Sequence, residues 1–448
     1  MAQPRTTPVI LVEEGGLKAA GLGRPQAQWA SANGFTGQRG RLLALPSETG
    51  ALAGYLFGVG AKASRPVLVT GIAGATLEPG RYRLEGALGD PTYAALGFRL
   101  GAYRFDRYRK SRTLPELALP AGADASEVAR LADAAYLARD LINTPANDLG
   151  PDAFDREIRA FAARHKMKVK AVVGDELLEQ NFPMIHAVGR AAAEAPRLLD
   201  LTWGRASDPK ITLVGKGVTF DTGGLDIKPS SGMLLMKKDM GGAANVLGLA
   251  HAIMDAGLKV RLRVLIAVVE NAISASAFRP GDVLPSRSGQ TVEIGNTDAE
   301  GRLILGDALT LGDEESPELM LDMATLTGAA RTALGPDLPP LYSTDDRLAA
   351  ELMGAGQVSD DPLWRMPLWE PYDKMMDSKI ADVNNAGSTP FAGSITAATF
   401  LKRFVKNAKA WVHLDIFGWA PESRPGRPFG GTDQGIRSVY GALKTRYS

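Results

Sequence analysis

Two periodicities alternate along most of this chain. Short, largely apolar runs at Ile211–Val214, Val264–Val269, Leu319–Met323 and Ala410–Leu414 have the length and composition of strands buried on both faces. Between them lie stretches with apolar residues three and four apart. Val246, Leu247, Ala250, Ile253 and Met254 make one helical stripe, stopped at Gly257, and Ile395 to Val405 make another. Such alternation predicts an α/β fold with a mostly parallel central sheet covered by helices. In sheets of this kind the ligand site lies at the carboxyl ends of the strands.

The first part of the chain reads as a separate, smaller α/β domain over residues 1–122. Tyr55–Phe57 and Val67–Thr70 are its strand candidates, with glycine-bearing turns between. Gly58 to Ala63 match a relaxed dinucleotide fingerprint, although an ordinary turn produces the same spacing. A Pro- and Ala-rich join from Pro115 to Ala125 leads to a linker helix near 126–142, capped by Ser126. Val128, Leu131, Ala135, Ala138 and Ile142 share one face of it, and it ends before Asn143-Thr144-Pro145. A second, larger domain is expected to occupy residues 123–448. There is no internal repeat and no low-complexity tract.

Composition narrows the chemistry. The chain has 448 residues, no Cys and four His, at His165, His186, His251 and His413. None of these histidines stands at a metal-ligand spacing, so thiolate sites, Cys nucleophiles and the His-Glu-x-x-His arrangement are excluded together. No nucleophile elbow or P-loop is present. A formal net charge of +1 gives no electrostatic case for nucleic acid or an anionic membrane. The cluster Arg104, Arg107, Arg109, Lys110 and Arg112 reads as a solvated face. Met1 to Arg5 lack the apolar core of a signal peptide, and no run approaches the roughly eighteen apolar residues of a membrane span. A cytoplasmic location is expected. Any metal chemistry here must use carboxylates, which suit Mg, Mn or Zn.

Carboxylates are placed where such chemistry would need them. Asp298 and Glu300 stand two apart in Asn296-Thr297-Asp298-Ala299-Glu300-Gly301-Arg302, where a strand-like run gives way to a helix-like one. In an extended segment both would point to one side, and two acids on one side repel unless a cation lies between them. By itself the segment could equally be an acidic helix cap. After the strand candidate Ile211–Val214, glycines surround Lys216 and Asp221 in Gly-Lys-Gly-Val-Thr-Phe-Asp-Thr-Gly-Gly, followed by Asp226 and Lys228. Met236-Lys237-Lys238-Asp239 then places a further acid at a helix entrance.

These segments closely resemble the leucine aminopeptidase (cytosol aminopeptidase) family. The motif at 296–302 reads as that family's signature without a mismatch. Agreement continues through the glycine-rich stretch at 215–224, Asp-Met-Gly-Gly-Ala-Ala at 239–244 and Ala-Thr-Leu-Thr-Gly-Ala at 324–329. It also includes Asn-Thr-Pro-Ala-Asn at 143–147 and Thr-Ala-Ala-Thr-Phe-Leu-Lys at 396–402. The likeness covers residues 143 to 439, whereas the first 120 residues match only loosely.

The resemblance implies a metal-dependent aminopeptidase that releases N-terminal, preferably apolar, leucine-like residues from peptides. It implies two divalent metal ions, Mn or Zn, with Mg or Co at an exchangeable site. One would be held by Asp221, Asp298 and Glu300, the other by Lys216, Asp221, Asp239 and Glu300. Lys228 would stabilise the developing oxyanion, and Arg302 would hold a bicarbonate beside the nucleophilic water. Met236, Asn296, Ala299, Thr325, Leu326 and Gly328 would form the substrate wall, positions that ordinary core packing also explains. Asp226 is expected to face solvent, and His413 to be a satisfied core histidine. A homohexamer is also implied. A DNA-binding or architectural protein on the same scaffold is the competing function, and a dinucleotide-dependent enzyme using Gly58 to Ala63 is a third.

Overall fold

The computed structural model describes residues 6–109 and 113–448. The N-terminal Met1 to Arg5, and Lys110 and Arg112 of the basic cluster, lie outside the described residues. The chain divides into two compact units, Met1–Tyr136 with Ala420–Gly430 and Leu137–Trp419 with Gly431–Ser448. The division falls within a helix, Ala125–Asn143. Asp124, rather than Ser126, caps that helix. Its Oδ1 accepts from Glu127 N–H at 2.9 Å, because the first helical residue is Ala125 and the capping carboxylate must precede it.

The first unit carries a five-stranded sheet of β1 (Thr7–Glu13), β2 (Leu42–Pro46), β3 (Leu52–Gly60), β4 (Arg81–Gly86) and β5 (Glu116–Ala118), in the order β2-β3-β1-β4-β5. Its pairings are parallel except β2 on β3. The expected strand at Val67–Thr70 is a turn. Val69 N–H donates to Pro66 O and Gly71 N–H to Leu68 O, curling the segment while Leu68 and Val69 stay buried. The apolar run correctly signalled burial, but a run this short does not specify extension. Gly58 sits within β3 against the neighbouring turn, where a Cβ would lie 2.0 Å from Gln38 O. The segment after Gly60 is a three-residue 3-10 turn, Lys62–Ser64, not the long helix whose N-terminus would face a pyrophosphate.

The second unit is built on eight strands: β6 (Lys168–Val173), β7 (Arg197–Trp203), β8 (Lys210–Asp221), β9 (Arg261–Asn271), β12 (Leu319–Ala324), β13 (Pro340–Ser343), β14 (Trp364–Arg365) and β16 (Ala410–Asp415). Their order is β14-β13-β16-β12-β8-β9-β7-β6. The central four, β16-β12-β8-β9, run parallel, as the buried apolar runs require, and antiparallel pairings flank them. A small sheet joins β10 (Val283–Pro285), β11 (Thr291–Glu293) and β15 (Val383–Asn384) beside the acidic turn.

Helices cover both faces of the large sheet. A Cβ on Gly215 of β8 would meet the Ala243 backbone of helix Gly241–Asp255 at 2.6 Å. Its neighbour Lys216, which a strand turns to the other face, lies against Gly301 of helix Glu300–Asp313. Val214, Val218, Leu303, Ile304 and Ala308 share one buried cluster on that side. No described helix is long and apolar enough to cross a membrane.

The last helix, Ile436–Tyr447, is anchored by buried charge. Asp433 pairs with Arg139 at 2.7 Å and with Arg437, all three of them almost fully buried. Removing the shared carboxylate takes a buried counter-charge from both guanidiniums, and Asp361, 3.8 Å from Arg437, replaces it only in part. Asp433→Ala is therefore predicted to lower unfolding free energy by about 3–5 kcal/mol, measured by urea denaturation followed by circular dichroism.

Candidate active site

The carboxyl ends of the parallel strands, all in the second unit, bring the acids together. Lys216 lies inside β8 and Asp221 ends it, five residues on. In a regular strand an odd separation puts side chains on opposite faces, but the register of β8 shifts between Val218 and Asp221. That irregularity re-aims Asp221 to the side on which Lys216 emerges. Gly301, just after Glu300, leaves the space Lys216 needs, since a Cβ there would lie 2.5 Å from its Cε.

Asp298 and Glu300 reach the same place by a different route from the extended segment expected. Asp298 occupies a turn, and Glu300 is the first residue of its helix. The helix N-terminus favours that carboxylate electrostatically, yet no side chain caps it, so Asp298 is not serving as a cap. Asn385 laces the turn from outside. Its Oδ1 accepts from Gly295 and Asn296 N–H, and its Nδ2 donates to Asn296 O and Ala299 O. Asp239 enters from a 3-10 turn, Met236–Met240, where its Oδ1 lies 2.7 Å from the Thr325 hydroxyl that follows β12.

Two lysines hold these four acids apart. Lys216 Nζ is 2.8 Å from Asp239 Oδ2 and 2.9 Å from Glu300 Oε1. Lys228 Nζ is 2.9 Å from Asp221 Oδ2 and also contacts Asp298 Oδ1. Burial alone would lower the Lys216 pKa, but the Asp239, Glu300 and Asp221 carboxylates outweigh it and hold it above the usual lysine range. Lys228 is raised in the same way by Asp221 and Asp298. Burial and the neighbouring Asp221 push Glu300 up to about 8. The same two causes push Asp298 up to about 6. Burial would raise Asp239 too, but Lys216 and Lys238 hold it below the usual carboxylate range.

All of these groups except Glu300 line a cavity of about 330 Å³. Met236, Thr325, Leu326 and Gly328 line it, as do Lys216, Asp221, Lys228, Asp239 and Asp298. Asn296 and Ala299 are not among the lining residues. Asn296 Oδ1 accepts from Asp298 N–H at 2.7 Å, so it shapes the turn instead. Arg302 is buried, donates from Nη1 to Asn385 O at 2.7 Å, and has no hydrogen bond at Nε. Asp226 is exposed but not idle, because its Oδ2 accepts from Thr297 N–H at 2.7 Å. His413 is buried, with Nδ1 2.5 Å from Asp322 Oδ1.

A family model described as the cytosol aminopeptidase family, catalytic domain, matches residues 136–440. A second, the M17 aminopeptidase N-terminal domain, matches residues 8–120, the part the motifs mark only loosely. The chain belongs to the cytosol aminopeptidase family. A probable cytosol aminopeptidase from Sinorhizobium medicae is 44% identical over 73% of this chain and 69% of its own length. The crystal structure of a cytosol aminopeptidase from Coxiella burnetii superposes with a TM-score of 0.94 at 44% identity, covering 100% of this chain and 99% of that one. The bottromycin maturation enzyme BotP in complex with Mn gives 0.89 at 34% identity, covering 98% and 99%. The chain is thus an aminopeptidase, a hydrolase of a metal-dependent family.

For a member of that family, the donor set fits divalent cations. Ligand oxygens of Asp221, Asp298 and Glu300 all lie within 4.8 Å of one another. Asp239 Oδ2, Asp298 Oδ1 and Glu300 Oε1 are buried against the lysine ammoniums, the positions a cation would take over. Sequence reasoning missed Asn271 and Lys238. Asn271, at the end of β9, donates from Nδ2 to Asp221 Oδ1 at 2.8 Å and to Thr297 O at 3.1 Å, tying two acid-bearing loops together. A polar residue closing an apolar strand was its only signal. Lys238 is 5% exposed and pushed down to about 8 by burial.

A dication must displace the proton that Glu300 keeps up to about pH 8. Affinity for a divalent cation is therefore predicted to tighten as pH rises through about 8, with protons released on binding. Calorimetry in buffers of different ionisation enthalpy would show both effects, and an affinity independent of pH would contradict this assignment.

Proposed function

We propose that this aminopeptidase removes N-terminal residues, preferably apolar and leucine-like, using two divalent cations. The observation that carries the reading is the convergence of four carboxylates on two lysines, with both lysines and three of the acids lining one cavity. Asp221, Asp298 and Glu300 would hold one cation, and Lys216, Asp221, Asp239 and Glu300 the other. Mn or Zn fits these donors, with Mg or Co at an exchangeable position. When bound, the cations supply Lewis acidity that lowers the pKa of water and polarises a peptide carbonyl.

The protein's own residues have separable tasks. Lys216 can donate a lone pair only after losing the proton that Asp239 and Glu300 now stabilise. Lys228 keeps its charge and reaches the cavity, where it offsets negative charge developing on the carbonyl oxygen. Arg302 has a buried guanidinium edge with no partner at Nε, which suits a small anion such as bicarbonate able to relay a proton. Leu235, Met236, Leu326 and Ile416 give the cavity an apolar wall for the substrate side chain, and Thr325 and Gly328 complete it. Asn296 and Ala299 belong to the reading as residues that hold Asp298 in place.

Peptides are the substrates in this reading, the assembly is a homohexamer, and the location is cytoplasmic, as the relatives' name "cytosol aminopeptidase" suggests. The DNA-binding alternative finds no support in a net charge of +1 or in those names.

The test is hydrolysis of leucine-p-nitroanilide with added Mn or Zn. Activity is expected, with loss on chelation and recovery on metal return. Lys228→Met is expected to lower kcat by about 10²–10³ while leaving KM close to its original value. No turnover with any divalent cation would sink the proposal, as would a fully active Asp298→Ala variant.

A further inference from the structure

The cavity wall away from the acid cluster has an unbalanced charge. Each lining carboxylate is already matched: Asp239 by Lys216, and Asp221 and Asp298 by Lys228. Two further cations line the same cavity, Lys238 and Arg331. Among the described residues neither forms an ion pair, and neither donates a hydrogen bond to a carboxylate. Both instead face one aromatic ring. Lys238 Nζ lies 4.8 Å from the Phe417 centroid, and Arg331 Cζ lies 4.9 Å from it.

Asp415, beside Arg331 and Phe417, cannot serve them. Asp415 Oδ1 accepts from Leu326 and Thr327 N–H at 3.0 and 3.1 Å, and its Oδ2 takes the Thr327 hydroxyl at 2.6 Å. Its function is to shape the loop after β12. Lys238 therefore lies buried on a cation–π contact, which offsets only part of the cost of removing an ammonium from water. An anion entering the cavity would give the buried Lys238 a counter-charge and meet the exposed Arg331 at the same time.

An apolar lining ending in two cations matches a side chain with an aliphatic stem and a negative tip. Resting on the aminopeptidase reading above, we propose that the cavity admits an acidic N-terminal residue, glutamate above all. Its stem would lie along Leu235, Met236 and Phe417, and its carboxylate would meet Lys238 and Arg331. These two residues set specificity, and acidic residues join the leucine-like substrates that the apolar wall alone would select.

Glutamine is nearly isosteric with glutamate and lacks only the charge, so the comparison isolates the proposed interaction. The experiment measures kcat/KM of the metal-loaded enzyme for the p-nitroanilides of Glu, Gln and Leu. The expected result is a Glu to Gln ratio of about ten or more, the effect of roughly 1.4 kcal/mol. In Arg331→Ala and in Lys238→Met that ratio should fall toward one, and Arg331→Lys should retain most of it. General damage to the site would lower all three substrates together and leave the ratio unchanged, which would count against the proposal. A ratio near one in the parent enzyme with good Leu turnover would overturn it and leave the aminopeptidase reading standing. Absence of turnover with all three would overturn both.

The same cations could take the C-terminal carboxylate of a dipeptide. If Leu-Gly is cleaved faster than Leu-Gly-amide while Glu and Gln anilides are equal, the side-chain assignment is wrong. Calorimetric titration with free glutamate and free glutamine provides a readout without turnover. Tighter binding of glutamate, abolished in Lys238→Met, is the result expected.

Discussion

Four carboxylates in one nearly dry place repel one another, and the rest of the catalytic unit is arranged around that fact. Asp221, Asp239 and Glu300 are almost fully buried, and Asp298 is partly so. Left alone, such a group would take up protons until most of its charge was gone. Lys216 and Lys228 prevent this in the metal-free protein, each bridging two acids. The raised Glu300 and Asp298 show that the compensation is incomplete. A site in this state has a standing preference for additional positive charge. That preference suits divalent cations, which a cluster of carboxylate oxygens fits.

The fold is what makes the arrangement tolerable. Parallel strands deliver β8, β12 and β16 to the same edge, so their following loops meet without long excursions. Buried amides then fix each loop: Asn271 ties Asp221 to the Thr297 turn, and Asn385 holds that turn from the other side. Glycine provides clearance where a side chain would intrude. Gly301 makes room for Lys216, and Gly223, with φ of +90°, turns its N–H toward Asp221 Oδ1 at 2.8 Å. Carboxylates so constrained are pre-organised, and little of the binding energy of a cation would go to ordering them.

Much of this was legible in the sequence, for identifiable reasons. The buried parallel strands announce themselves because each is apolar on both faces, and the acids stand directly after them or at helix starts. Family motifs then assemble Lys216, Asp221, Asp239, Asp298 and Glu300 into one set. What could not be read depended on burial or on contacts distant in sequence. Lys237 and Lys238 are adjacent and chemically alike. Yet Lys237 reaches out to Asn143 O, whereas Lys238 is buried against Phe417. Asn385 acts across about ninety residues, with no local pattern to mark it. Val67–Thr70 failed for a different reason, since hydropathy reports burial and not backbone conformation. Asn296 and Ala299 stand next to the chemistry in sequence, but neither is among the residues that line the cavity.

The central claim is that the lysine-bridged cluster is the metal-free form of a two-cation centre. Anomalous diffraction from crystals grown with Mn or Zn tests it most directly. Two anomalous peaks per chain are expected, both in contact with Asp221 and Glu300, one also with Asp298 and the other with Asp239 and Lys216 Nζ. A single peak, or none, with Lys216 still paired to Asp239 and Glu300, would contradict it.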